Sequence, residues 1–160
     1  MIATAVLMAA LAAMPVLAQS AAEKPKAATG APKSYIPGLE QFMGTIQRQH
    51  AKLWLAAKAR NWELAAYQLG ELKEVMSDVQ DLVPDYKTLP IGQMIDAVTT
   101  GPIAELEKAV DARDGKAFAA GFDMLTASCN SCHDAAGRGF IVIRRPTRST
   151  FTNQVFEPRK

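Results

Sequence analysis

Residues 111–138 read DARDGKAFAAGFDMLTASCNSCHDAAGR. Within them Phe118, Phe122, Leu125, Cys129 and Cys132 step by four, three, four and three, which places all five on one face of a helix. Asp114-Gly115 makes a turn ahead of that helix, with Asp114 placed to cap it, and Gly137 and Gly139 end it.

Working outward, three more segments show the same period. Leu39, Met43, Ile46, His50, Leu53 and Ala57 form one stripe on a helix over about residues 38–59. Asn61 is a good N-cap for the next helix, where Ala65, Leu69, Leu72, Met76 and Val79 repeat the spacing and Pro84 sets the end. A third segment, about 91–112, puts Ile95, Val98, Leu106 and Val110 inward, and Gly101-Pro102 in its middle predicts a kink or break. No strong strand signal precedes Phe140. The expected fold is all-α, an antiparallel (up-down-up-down) four-helix bundle over residues 38–137 with shallow crossing angles of about 20° and a C-terminal extension over 138–160.

The ends of the chain carry their own signals. Residues 1–18, MIATAVLMAALAAMPVLA, are uncharged and finish in Val16-Leu17-Ala18, the pattern of a secretory signal peptide cut after Ala18. The alternative, a retained anchor, meets the difficulty that a full span wants about 20 apolar residues. Residues 19–37, rich in Ala, Lys, Pro, Ser and Gly, read as a flexible leader. Export implies a periplasmic protein with no membrane span in the mature chain. The formal net charge of +2 over 160 residues is too small to argue for a nucleic-acid partner. The charge gathers in the tail, where Arg138, Arg144, Arg145, Arg148, Arg159 and Lys160 face one acid, Glu157. That basic surface suits an acidic protein partner.

Cys129-Asn130-Ser131-Cys132-His133 carries the chemistry. Two thiols three residues apart can each form a thioether to one of two haem vinyl groups, and the next residue then offers its imidazole to the iron; Cys-x-x-Cys-His is the pattern of c-type haem attachment. A thioredoxin-like pair needs a βαβ setting that the sequence lacks. A zinc site wants four ligands, and the chain has two cysteines and two histidines, the second histidine being His50. One motif implies one covalent haem c.

The 111–138 stretch resembles the last helix of the class II c-type cytochromes, the cytochrome c-prime family, in which the haem motif lies near the C-terminus of a four-helix bundle. The resemblance covers about residues 38–138 through helix number, order and motif position. It implies a periplasmic bundle, frequently homodimeric, serving electron transfer or the binding of small gases. A histidine in the first helix placed to ligate, and the long tail, depart from the family pattern.

The sixth iron ligand separates those roles, because axial ligands set potential and access. His50, about 12 residues and roughly 18 Å into the first helix, interrupts an apolar stripe and is the leading candidate beside His133. Met43 is the alternative, and a Met–His pair raises the potential. A five-coordinate iron under an apolar pocket at Ile46 would instead bind NO or CO. Arg138, Arg144 or Arg145 could pair with haem propionates. The expected function is electron transfer by a periplasmic monohaem cytochrome, not an enzyme. Trp54, Trp62 and Tyr67 are expected to close the end of the bundle. The apolar run Phe140-Ile141-Val142-Ile143 is expected to fold back over it.

Overall fold

A computed structural model describes residues 35–159. The expected signal peptide, 1–18, and most of the leader, 19–37, lie outside the described residues. Four helices account for the architecture: α1 (Leu39–Lys58), α2 (Trp62–Leu82), α3 (Ile91–Asp111) and α4 (Gly115–Ala135). Among the described residues there is no strand, only an isolated bridge between Tyr86 and Leu89 in the α2–α3 loop. No helix among them is long and apolar enough to cross a membrane.

The caps are those the sequence predicts. Asn61 Oδ1 accepts the Leu64 N–H at 3.1 Å, and Asp114 Oδ1 accepts those of Lys116 and Ala117 at 2.8 and 3.0 Å. α4 ends in a Schellman turn: Gly137 takes φ 68°, its N–H reaches the Asp134 carbonyl, and the Arg138 N–H returns to the His133 carbonyl at 2.7 Å. Glycine adopts that backbone with no Cβ penalty.

α1 packs along α2, α2 along α3 and α3 along α4, whereas α1 and α4 meet over a much shorter length. The α2 stripe (Ala65, Leu69, Leu72, Met76, Val79) is buried throughout. α3 and α4 approach closely at Gly121, where an added Cβ would lie 3.3 Å from the Leu106 side chain.

Of the kink or break expected at Gly101-Pro102, the break does not occur, since α3 runs on through Pro102 as one helix. The proline removes one N–H donor, that for the Val98 carbonyl. Ile95 and Thr99 before it and Ile103 and Leu106 after it remain buried on one face. That tertiary packing outweighs a single lost bond.

The tail runs back along α4 in an extended conformation with alternate residues turned to the bundle. Ile141 and Ile143 border a cavity at its end, with Ile141 still 44% exposed, while Phe140 and Val142 are 80% and 71% exposed. The expected withdrawal of the 140–143 run from water therefore holds only for Ile143, which is half-buried. A period-2 segment lying on one surface cannot bury both faces. Farther on, Phe156 is buried, and Asn61 Nδ2 donates to its carbonyl at 3.1 Å.

Candidate functional site

The stripes on α1 and α4 are continuous in sequence, but their surroundings change along the bundle. At one end Leu53 and Ala57 of α1 and Phe118, Phe122 and Leu125 of α4 are fully packed. Trp54 lies 5.0 Å from Phe122 and 6.3 Å from Phe118 between ring centroids, and Trp62 meets Phe118 edge-on. Trp54 and Trp62 thus close this end as expected, while Tyr67 stays 59% exposed.

Toward the other end the same stripes line empty space. Met43, Ile46 and His50 of α1 and Cys129, Cys132 and His133 of α4 border one cavity of about 430 Å³. That volume falls in the range of ligand and cofactor sites, about 300–1,000 Å³. Its other walls are largely aliphatic, with Ile95 and Val98 of α3 opposite Ile141 and Ile143 of the tail. Val98, predicted to face inward, faces this space and is half-buried. The first turns of α1 and the last turns of α4 border the same space, as antiparallel helices require.

Cys129 and Cys132 are free thiols. Burial pushes the Cys129 thiol up to about 11, with the neighbouring Cys132 adding to the effect, and burial raises Cys132 as well. This is the opposite of the acidic thiol of a disulfide oxidoreductase. Among the described residues no group of three or more His, Cys, Asp and Glu could hold a metal ion by itself.

The two histidines differ in which nitrogen is free. His133 Nδ1 lies 2.8 Å from the Ile141 carbonyl. A carbonyl only accepts, so Nδ1 carries the proton and Nε2 of the neutral ring keeps its lone pair. His50 has the reverse arrangement. Its Nε2 lies 2.9 Å from Thr126 Oγ1, whose own proton goes to the Phe122 carbonyl at 2.7 Å. Nε2 is therefore the donor, and the lone pair sits on Nδ1. The ring is 3% exposed and lies 4.2 Å from the Phe122 ring.

Burial lowers the His50 pKa from 6.5 to about 4, so the fold holds the neutral ring. Between those values the unfolded chain binds a proton that the folded chain does not. Stability from this site is complete above pH 6.5 and is lost as pH falls toward 4. The loss is about 3 kcal/mol at 1.36 kcal/mol per unit. Urea midpoints of the haem-free chain measured from pH 7 to 4 should fall accordingly. A His50→Gln variant, which keeps a donor for Thr126 but does not titrate, should show a flatter profile; equal slopes for the two proteins would remove His50 as the cause.

Among the arginines, Arg138 borders the cavity and donates to the Gly137 carbonyl at 3.3 Å. Arg144 is exposed. Arg145 is engaged elsewhere: it forms a bidentate pair with Asp123 at 2.5 Å, donates to the Ala119 carbonyl and lies 4.4 Å over the Trp54 ring. Asn130, between the cysteines, was not singled out by the sequence, yet its amide makes two hydrogen bonds to the Ile143 backbone. No family model, no curated protein and no solved structure matches this chain.

Proposed function

We propose that the protein is an exported monohaem c-type cytochrome that carries electrons in the periplasm. The observation that supports this most is the convergence of Cys129, Cys132 and His133 on one apolar cavity at the open end of the bundle. The residues suit the group. Both cysteines are reduced, as thioether formation requires, because each S–H adds across a vinyl double bond. His133 keeps Nε2 available as a ligand, and Arg138 stands at the same cavity as a partner for a propionate. When bound, the haem supplies one-electron redox chemistry. The chain supplies a rigid, largely apolar enclosure, which limits reorganisation on electron transfer. The basic tail favours an acidic redox partner.

On the second axial position, His50 stays the leading candidate and Met43 the alternative, since both border the cavity. The His50 Nε2–H bond to Thr126 orients the ring and leaves the Nδ1 lone pair as the one that could ligate iron without breaking it. Met43 is half-buried at the cavity, and its thioether has no hydrogen bond to lose.

Optical spectra of the purified protein in both oxidation states test this reading. Low-spin bands unaffected by CO, with pigment retained after acid–acetone treatment, are the expected result. His50→Ala should give a high-spin protein that binds CO, while Met43→Ala should stay low-spin. The converse outcome assigns the sixth position to Met43. A wild-type spectrum that shifts with CO replaces electron transfer by gas binding, and extractable pigment removes the c-type reading.

A further inference from the structure

The last turns of α4 and the tail are joined by a regular ladder. Tail residues 141, 143 and 145 meet α4 residues 133, 130 and 123, running antiparallel to the helix. The lowest rung is the Ile141 carbonyl on His133 Nδ1. The middle rung is a two-point pair: Asn130 Nδ2 donates to the Ile143 carbonyl at 3.0 Å, and the Ile143 N–H donates to Asn130 Oδ1 at 2.8 Å. The upper rung is the Arg145–Asp123 pair.

Ile141 and Ile143 are two residues apart on an extended segment, so fixing one fixes the other to within a peptide's freedom. The Schellman turn at Gly137 reverses the chain straight after His133, and the Ile141 N–H bonds the Arg138 carbonyl at 2.8 Å. The carbonyl that orients the imidazole is thus held from both sides, by that turn and by Asn130. The exposed Phe140 and Val142 contribute no anchoring burial, which leaves the amide pair at Asn130 as the nearest specific restraint beyond the turn.

We propose that Asn130, the first residue between the two cysteines, is a positioning residue for the haem ligand. By pinning the Ile143 backbone it holds the Ile141 carbonyl on His133 Nδ1. That fixes the ring's tautomer and orientation, leaves Nε2 as the ligating atom and makes the imidazole a stronger donor to ferric iron. The inference rests on the haem reading of Cys129, Cys132 and His133.

The test is the reduction potential of haem-loaded, full-length Asn130→Ala. Loss of the restraint weakens the bond to Nδ1 and disfavours the ferric state, so the potential rises. A tenfold change in the ferric/ferrous equilibrium corresponds to about 59 mV for one electron. In the reduced protein the His133 Nδ1 proton should exchange with solvent at least tenfold faster by NMR. Ser131→Ala, at the exposed neighbouring position, should change neither quantity. If Asn130→Ala does not fold, Ile143→Pro removes the N–H on the tail side of the same rung and should raise the potential in the same way. A folded variant at either position with wild-type potential and wild-type proton exchange overturns the positioning role while its covalent pigment leaves the haem reading intact. Wild-type protein without covalent haem overturns the parent reading instead.

Discussion

A Cys129→Ala/Cys132→Ala variant produced alongside a haem-ligation system should carry no covalent haem, while the wild-type chain should be fully loaded. After denaturing electrophoresis the wild-type band should stain for haem-dependent peroxidase activity and the variant band should not. This difference is all-or-none, because a thioether survives denaturation and axial coordination does not. The variant should still fold, because both cysteines are half-buried at the cavity wall and the packed contacts of α4 lie at Phe118, Phe122 and Leu125. Its far-ultraviolet circular dichroism should remain that of a helical protein. Haem staining that persists in the variant, or is absent from the wild type, would refute the assignment of the two sulfurs.

The contrast between the cavity and the packed end also shows what the residue order can reveal. The helices were legible because their signals are local: a stripe at helical spacing, an Asn or Asp cap, a glycine or proline at the end. The α1 and α4 stripes mark one apolar face along their whole length, yet they are packed at Leu53, Phe118 and Phe122 and border open space at Met43 and Cys132. Periodicity says which face is apolar, not what lies opposite it. The unbroken passage of α3 through Pro102 is a similar case, because burial on either side decides it and the local proline rule does not include burial.

The motif was legible because its chemistry needs residues adjacent in the chain. Its supports were not. His133 is held by a backbone carbonyl and Asn130 pairs with a backbone amide and carbonyl, and backbone groups are common to nearly every residue. The one available signal was the alternation Ile141, Ile143, Arg145 against Phe140, Val142, Arg144, which marks an extended segment lying on a surface. Arginine in the tail suggested propionate pairing, but the sequence could not show that Asp123 and the Trp54 ring would claim Arg145.

Phe122→Ala should be the most damaging single substitution in the closed half of the bundle. Phe122 is fully buried, and its ring lies 4.2 Å from His50, 5.0 Å from Trp54 and 5.9 Å from Phe118. Because α1 and α4 share so little other contact, this aromatic group carries much of the seam between them. Truncation removes the ring's transfer free energy and leaves a void that neighbouring aromatic rings cannot readily fill, a cost of about 3–5 kcal/mol. Against a typical domain stability of about 5–15 kcal/mol, that is a large fraction. The void would also border the His50–Thr126 pair, so part of the pH dependence of stability should weaken as water reaches the imidazole. Phe140→Ala is the matched control: the same atoms are removed from a residue 80% exposed, and the expected change is within about 0.5 kcal/mol. Urea unfolding of the two variants with unchanged m-values should separate them by several kcal/mol. Equal midpoints would mean that the α1–α4 seam is not held by this cluster, and that helices α2 and α3 alone keep the bundle closed.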